Sequence, residues 1–263
     1  MSDDMIRAGI GGWNFEPWRG VFFPKGTSKA KELAYASRQL STIEVNGTFY
    51  STFKPPTFKK WHDETPDGFV FSLKANRFAT NRKVLGDAKP SIDRFLESGV
   101  SELKTKLGPI LWQFMHTKKF DPVDLEAFLA LLPKSIDGIP LRHAVEPRHE
   151  SFKTKEFVEL ARKYGAAIVF ADSAKYPAIA DATADFVYCR LQETQEKIET
   201  GYSPAAIKQW AAAAKAWESG GTPKGMTLLA KAPAKKKRDV FVYFIAGAKM
   251  RNPAAAMAFL KAV

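Results

Sequence analysis

The chain has 263 residues but only one cysteine, Cys189, and four histidines. A single cysteine cannot form a disulfide within the chain, so a reducing cytoplasm is the expected location. Cys189 lies inside the apolar run FVYCRL, which indicates a packed residue rather than a nucleophile. Four histidines also supply too few ligands for a multinuclear zinc site.

Long apolar runs are missing as well. No run approaches the ~20 residues of a membrane-spanning helix, and the N-terminal MSDDMIRAG carries acids without an apolar stretch after it. We therefore expect neither a membrane anchor nor a leader. The motifs GxSxG, HExxH, CxxC and the P-loop are absent, so no short motif identifies a reaction.

Positive charge is abundant, with 40 Lys and Arg against 28 Asp and Glu and a formal net charge of +12. Such an excess favours phosphate-bearing partners but does not locate a binding site. The most basic run, KAPAKKKR at 231–238, comes directly before the last predicted strand. It therefore belongs to the end of the fold away from the predicted site, and we interpret it as a solvated face.

Eight short apolar runs recur along the chain and predict buried parallel strands. They are 6–12, 42–46, 69–75, 109–114, 142–147, 166–172, 185–191 and 239–245. Helical patterns separate them at 28–40, 55–64, 90–108, 122–133, 151–165, 203–221 and 252–263, and 173–184 offers at most one short helical turn.

This alternation predicts an α/β fold, a TIM (β/α)₈ barrel or close variant with outer helices, formed by 1–263 as one domain. A doubly wound open sheet is the alternative. No glycine-rich dinucleotide fingerprint follows the first run, which counts against it.

Polar residues recur where the predicted strands end, which is where barrel enzymes hold their sites. They are Glu44, Asn46, Lys74, Gln113, Glu146, Arg148, Asp172 and Arg190. Lys74, Arg148 and Arg190 are candidates for binding an anion. Glu44, Glu146 and Asp172 are candidate general acids or bases, and His149 a candidate proton shuttle. The alternative is a ring of salt bridges that satisfies itself.

Basic and aromatic residues also follow the predicted strands and form a candidate rim around that site. The cations are Arg19, Lys25, Arg77, Arg82, Lys83, Lys89, Lys118, Lys119, Lys249 and Arg251; the rings include Trp13, Phe15, Trp18, Phe22, Phe23, Phe49, Tyr50 and Phe78. Trp13 and Tyr50 are candidate substrate-binding residues. Rings stack on bases and cations pair with phosphates, although a packed aromatic lid is the alternative.

No cofactor is indicated by the sequence. His116 and His149 with three carboxylates suit Mg²⁺ or Mn²⁺, but a divalent metal is not the favoured interpretation, and the metal assignment stays open.

Eight segments occur in the order GGWNFEPWRGVFFP, TIEVNGTFY, FSLKANR, GPILWQF, VEPRHESF, VFADS, DFVYCRL and DVFVYF. Together they resemble the DUF72 family of YecE-like proteins over nearly the whole chain. The resemblance implies a TIM barrel with a polar pocket at the strand ends, but no reaction, because the family has no established function.

Particular residues carry this resemblance. Glu44, Asn46, Phe49 and Tyr50 match the family pattern E-[IV]-N-S-T-F-Y, with Gly47 in place of serine. Lys74 matches the third-strand lysine, Glu146, Arg148 and His149 match E-x-R-H, and Asp172 and Arg190 fall on favoured positions.

Two segments depart from the family pattern. The family's Q-L-P-P after the fourth strand is Gln113-Phe114-Met115-His116 here, and its Y-F-N-N-D after the eighth is Tyr243-Phe244-Ile245-Ala246-Gly247. The second change removes polar groups from one wall of the implied pocket, which implies a divergent ligand or reduced activity.

The leading hypothesis from these observations is a cytoplasmic barrel that binds a small anionic or phosphate-bearing ligand and is hydrolase-like or nuclease-like. A non-catalytic nucleic-acid-binding module is the first alternative, and a sugar-processing barrel with paired carboxylates is the second. The sequence does not determine the oligomeric state.

Overall fold

A computed structural model describes residues 5–263 and shows a closed barrel of eight parallel strands. The strands are β1 (Ile6–Gly11), β2 (Thr42–Val45), β3 (Val70–Lys74), β4 (Leu107–Gln113), β5 (His143–Glu146), β6 (Ala167–Asp172), β7 (Phe186–Leu191) and β8 (Asp239–Phe244). Each strand pairs in parallel with the next, and β8 pairs with β1 to close the barrel. This closure confirms the predicted TIM barrel and excludes the open sheet. All eight strands lie where they were predicted, to within two residues at each end.

Nine α-helices lie among the described residues. They are α1 (Glu32–Gln39), α2 (Gly47–Tyr50), α3 (Pro55–Glu64), α4 (Arg77–Thr80), α5 (Lys89–Leu96), α6 (Pro122–Ala130), α7 (Lys155–Tyr164), α8 (Pro204–Glu218) and α9 (Asn252–Leu260). Several begin as their sequences predict, with proline in the first turn. The Thr154 hydroxyl also accepts a hydrogen bond from the Phe157 amide at the start of α7.

The helix predicted at 90–108 is wrong in its length, because the helical conformation is interrupted at Gly99. Helix α5 ends at Leu96, and a separate 3₁₀ segment covers Val100–Lys106. Gly99 has φ 109°, and a Cβ atom there would lie 2.6 Å from the Cα atom of Pro55. Close packing against the start of α3 therefore requires glycine, and the helical pattern gives no sign of this contact.

A small hairpin between α6 and β5 is also absent from the sequence-based prediction. Ser135–Ile136 pairs with Ile139–Pro140, and the turn residues Asp137 and Gly138 both have positive φ, as tight hairpin turns require. The segment 173–184 contains no α-helix, as predicted.

Side chains alternate along each strand, so each strand supplies one set of residues to the barrel interior and one to the layer under the helices. The interior includes Leu111, Ala144, Val169, Tyr188 and Tyr243, while Cys189 packs in the outer layer. Burial raises the pKa of the Cys189 thiol, which agrees with its interpretation as a packing residue.

A layer of hydroxyl groups lies in the barrel interior, next to the polar residues at the carboxyl ends of the strands. The Tyr188 hydroxyl lies 2.8 Å from Ser72 Oγ, and the Tyr243 hydroxyl lies 2.9 Å from Thr42 Oγ1. The two tyrosine rings are 4.9 Å apart. This layer separates the apolar barrel core from the charged residues at the strand ends. No helix within residues 5–263 combines the length and apolar character needed to cross a membrane.

Candidate functional site

The carboxyl ends of the strands form the barrel mouth, where a buried arginine joins two buried glutamates. Arg190 of β7 donates from Nε and Nη2 to the two Glu44 carboxylate oxygens of β2, each at 3.0 Å. Its Nη1 atom donates to the Glu146 carboxylate oxygens of β5 at 2.8 and 2.7 Å. We call Glu44, Glu146 and Arg190 the carboxylate–arginine cluster. Each of its residues lies an even number of positions from the interior side chains of its strand, so all three face the barrel interior.

Neighbouring side chains complete the hydrogen bonding of both carboxylates. The Tyr188 hydroxyl donates to Glu44 Oε2 at 2.8 Å, and Gln113 Nε2 donates to Glu146 Oε2 at 2.7 Å. Burial alone would raise the pKa of Glu146, but the positive charges of Arg190 and Arg148 and the Gln113 hydrogen bond lower it to about 2. A carboxylate with so low a pKa is a weak general base near neutral pH.

Lys74 at the end of β3 is buried beside this cluster. Its residue exposure is 6%, and its ammonium group has no hydrogen bond or ion pair with residues 5–263. The Nζ atom lies 4.1 Å from the centroid of the Phe49 ring. Burial, followed by the charge of Arg190, lowers the pKa of Lys74 to about 8, although Glu44 and Glu146 oppose the shift.

A cavity of about 200 Å³ opens above the cluster. We call it the mouth cavity, and it is lined by Gly11, Asn46, Arg148, Arg190, Gln192, Ile245, Ala246, Lys249 and Asn252. The Arg148 guanidinium makes one contact with Glu146, at 3.3 Å, and lies 4.3 Å from the Tyr176 ring centroid. Ile245 and Ala246 stand where the family pattern has amides, so this wall of the cavity is apolar.

Two groups at the mouth cavity, the buried Gln192 Nε2 atom and the exposed Lys249 ammonium, lack an acceptor within residues 5–263. The Gln192 Nε2 atom is buried without a partner in the described chain. The Lys249 ammonium lies 4.3 Å from the Phe15 ring centroid, and it too lacks an ion pair among those residues. Around the mouth, Lys74, Arg148, Arg190 and Lys249 carry four positive charges, and Glu44 and Glu146 carry two negative ones. The site therefore has a local excess of two positive charges.

Asp172, a predicted acid–base residue, lies apart from this group. Ala171 has the parity of the interior side chains of β6, so Asp172 faces the outer layer instead. Its Oδ2 atom accepts a hydrogen bond of 2.8 Å from the Tyr202 hydroxyl. Burial raises the pKa of Asp172, and the Tyr202 hydrogen bond opposes that shift.

His149, the predicted proton shuttle, forms its side-chain hydrogen bonds with Ser151. Its Nδ1 atom accepts a hydrogen bond from the Ser151 amide at 3.1 Å and lies 2.9 Å from the Ser151 hydroxyl. It therefore caps the 3₁₀ turn at Glu150–Phe152. Within residues 5–263 no three His, Cys, Asp or Glu side chains are grouped so as to hold a metal ion.

The predicted rim is partly packed and partly neutralised. Trp18 and Phe23 are fully buried and form the aromatic lid considered above, whereas Tyr50 is 63% exposed. Arg19 pairs with Glu32 at 2.7 Å, Lys89 with Asp93 at 2.8 Å, and Lys118 with Asp124. Fewer rim cations are thus available to a polyanion than the sequence indicates.

Two polar residues of the mouth cavity, Gln192 and Asn252, were absent from the sequence-based site. Gln192 lies two positions after Arg190, so the period of the strand was a signal that it also faces inward. Asn252 comes from the start of α9 and carries no comparable signal. Asn46, Gln113, Arg148 and Arg190 all lie at the mouth, as the sequence predicts.

The family model described as "Protein of unknown function DUF72" matches residues 7–263. The UPF0759 protein YecE of Escherichia coli strain K12 is 28% identical over 153 residues, which are 57% of this chain and 51% of YecE. The UPF0759 protein YunF of Bacillus subtilis strain 168 is 29% identical over 163 residues, 59% of this chain and 55% of YunF. The chain thus spans about half the length of these curated relatives.

A solved structure agrees with the fold. A DUF72 family protein from Thermotoga maritima superposes with a TM-score of 0.73 at 22% identity, covering 98% of each chain. This likeness supports the barrel architecture and carries no information on a ligand.

Proposed function

The chain belongs to the DUF72 family, and we propose that its barrel mouth binds a small anion, with a phosphate group as the preferred ligand. The observation that carries this proposal is the set of unpaired donors around the mouth cavity. Among residues 5–263, the buried Lys74 ammonium has no acceptor, Gln192 Nε2 is buried without a partner, and Arg148 makes one contact, with Glu146. Lys249 is exposed at the edge of the cavity and adds a positive charge there. Buried charges and donors without partners destabilise a fold, so a bound anion would remove this cost.

The carboxylate–arginine cluster acts in this proposal as a rigid base for the anion site. Each glutamate is held by Arg190 and by a neutral donor, which positions the guanidinium. A phosphate group has enough acceptor oxygens to engage Arg148, Lys249 and Gln192 together, and arginine binds phosphate with matched geometry.

Hydrolysis of a bound phosphate ester is the finer part of the proposal, and Lys74 is the residue best suited to transfer a proton. Its pKa of about 8 lies closer to neutral pH than the pKa of about 2 of Glu146. Turnover of an aryl phosphate by the wild type that disappears in Lys74→Met would support it. Equal turnover in both proteins would contradict it.

The sugar-processing alternative has less support from the geometry. Paired carboxylates cleave a glycosidic bond when the sugar lies between them, but Arg190 occupies the space between Glu44 and Glu146. Nucleic-acid binding remains the second candidate, because the mouth has a positive excess.

Calorimetric titration with inorganic phosphate tests the proposal directly. We expect saturable binding by the wild type and a loss of about tenfold or more in affinity in Arg148→Ala and Lys74→Met. The matched control is Lys208→Met, which removes one positive charge from an exposed position on α8 and should leave affinity unchanged. Equal loss in all three variants would mean that only overall charge matters. No saturable binding by the wild type would contradict the proposal.

A short single-stranded DNA titrated across a salt series separates the nucleic-acid candidate. Affinity that falls steeply with salt and survives Lys74→Met would favour nonspecific backbone binding.

A further inference from the structure

A second cavity of about 1150 Å³ lies beside the mouth cavity. It is formed by the loop after β1 and by α2 and α3, and five aromatic residues line it: Trp13, Phe15, Tyr50, Phe53 and Trp61. We call it the aromatic cavity. The proposed anion site does not account for it.

The rings of the aromatic cavity hold one another in place. Trp13 meets Trp61 edge to face with centroids 5.3 Å apart, and Phe53 meets Trp61 at 5.2 Å. Trp61 is buried, whereas Trp13 and Phe53 are half-buried and thus present part of their surface. A ring-bearing ligand would enter a site that is already formed, so little ordering cost opposes its binding.

The two cavities meet, since Gly11, Asn46 and Lys249 line both. Gly11 keeps the junction open. A Cβ atom at this position would lie 2.9 Å from Asn46 Nδ2 and 3.0 Å from Ile245 Cγ2. Lys249 lies at the same junction, with its ammonium 4.3 Å from the Phe15 ring centroid. A positively charged cavity and an aromatic cavity thus form one continuous site.

We propose that the ligand is a nucleoside monophosphate, with its phosphate in the mouth cavity and its base among the rings of the aromatic cavity. This inference rests on the proposed anion site and names the class of ligand that the site takes. Bases stack on aromatic side chains whatever their sequence, and the four rings that are not buried, those of Trp13, Phe15, Tyr50 and Phe53, supply that surface. The mouth cavity is lined by Arg148, Arg190 and Lys249, so the phosphate is placed there.

Three ligands separate the inference from the proposed function. Inorganic phosphate tests the anion site, ribose 5-phosphate adds the sugar, and AMP adds the base. We expect AMP to bind at least about fivefold more tightly than ribose 5-phosphate, because stacking of one base contributes about 1–3 kcal/mol. AMP and ribose 5-phosphate of equal affinity would overturn the inference and leave the anion site intact. If none of the three binds, the proposed function fails as well.

A longer ligand tests the restriction to a single nucleotide. A 5′-phosphorylated trinucleotide should bind no more tightly than AMP. Tighter binding of the trinucleotide would overturn the inference in favour of a nucleic-acid partner.

One variant locates the base. Tyr50→Ser removes an exposed ring that lines the aromatic cavity but not the mouth cavity, so it should weaken AMP by about fivefold or more and leave inorganic phosphate within about twofold. Phe78→Ser is the matched control, because Phe78 is 59% exposed on α4 and lines neither cavity. Thermal midpoints verify that the variants fold. AMP affinity that is unchanged in Tyr50→Ser, or that falls equally in Phe78→Ser, would overturn the assignment of the base.

Discussion

Two buried lysines at opposite ends of the barrel differ in whether the protein itself satisfies them. Lys106, directly before β4, is 5% exposed, and its ammonium donates to the carbonyl oxygens of His62 and Thr65 at 2.7 and 2.6 Å. Lys74, at the end of β3, is 6% exposed and has no acceptor among residues 5–263. The two lysines are buried to nearly the same extent, but only Lys106 has hydrogen-bond acceptors. A buried lysine whose hydrogen bonds are unmet therefore indicates a candidate ligand site, whereas one that is fully paired is structural.

The arginines at the two ends show the same contrast. A cavity of about 1390 Å³ at the amino-terminal end of the barrel is lined by Arg142 and Arg238 among others. Arg142 pairs with Asp239 at 2.6 Å, and Arg238 donates to the carbonyl oxygens of Ala184 and Lys236, each at 3.2 Å. This cavity is larger than the mouth cavity, yet Arg142 and Arg238 are already used by the fold. A third arginine, Arg162, donates from Nη1 to the Lys231 carbonyl oxygen at 2.8 Å and lies 3.7 Å from Asp181, although its Nη2 has no hydrogen bond within residues 5–263. Size and charge alone therefore do not identify the site.

The largest expected effect comes from Arg190→Met. It leaves Glu44 and Glu146 buried without their cation, so we expect the free energy of unfolding to fall by about 3–5 kcal/mol. Arg142→Met, at the other end, breaks a partly exposed pair and a contact of 5.0 Å with the Phe241 ring, and should cost only about 1–2 kcal/mol. Urea unfolding at pH 7 measures both. Equal losses of unfolding free energy in the two variants would mean that the buried and the partly exposed ion pairs stabilise the protein equally.

The pH dependence of stability should reveal Lys74. Its pKa is about 8 in the folded protein against 10.5 ordinarily. Below pH 8 the lysine is charged in both states and its burial destabilises the fold. Between pH 8 and 10.5 the folded protein has lost this proton while the unfolded chain keeps it, so the free energy of unfolding rises with pH. The full rise is about 3 kcal/mol.

Comparison with Lys74→Met isolates this contribution, because the other titrating groups are common to both proteins. The difference in unfolding free energy between the two proteins should change across this pH window. A constant difference would show that Lys74 titrates normally.

Exchanging each buried lysine for methionine compares the two ends directly. Lys106→Met leaves two carbonyl oxygens without a donor and should lower the free energy of unfolding by about 1–3 kcal/mol. Lys74→Met removes a buried charge that has no partner within the part of the chain that the structure describes, so at pH 7 it should not destabilise the protein in the absence of ligand. Thermal and urea unfolding test the sign of each change. Destabilisation of similar size in both variants would mean that Lys74 has an acceptor within the protein.

The smallest effect is expected from the basic run at 231–238. Lys235, Lys236 and Lys237 are exposed and lie before β8, at the end opposite the mouth. Changing all three to glutamine should leave phosphate affinity within about twofold at ~0.15 M salt, because screening weakens charges beyond about 8 Å. A larger loss would place the anion at the amino-terminal end instead.

Much of the fold could be predicted because its signals are local. Each strand is a short apolar run, and helices such as α3 and α7 carry their own start signals. The break at Gly99 could not be predicted, since it depends on contact with Pro55, 44 positions earlier in the chain.

The site was predicted less completely, and the reason is the alternation of side chains along strands. Polar residues at or next to the last position of a strand were found by searching the strand ends, and four of them face the barrel interior: Glu44, Lys74, Glu146 and Arg190. Asp172 also ends a strand, but its parity directs it outward to Tyr202. Gln192 has the inward parity and was missed.

Strand periodicity and connection length are properties of neighbouring residues, so they were enough to predict a barrel with polar residues at its mouth. Which charges neutralise one another depends on how the strands are arranged in space. Arg190 joins Glu44, 146 residues away in the chain, with Glu146, 44 residues away, whereas Lys74 has no acceptor within residues 5–263. Pairing depends on distances between strands that are remote in sequence, and those distances exist only once the barrel has closed.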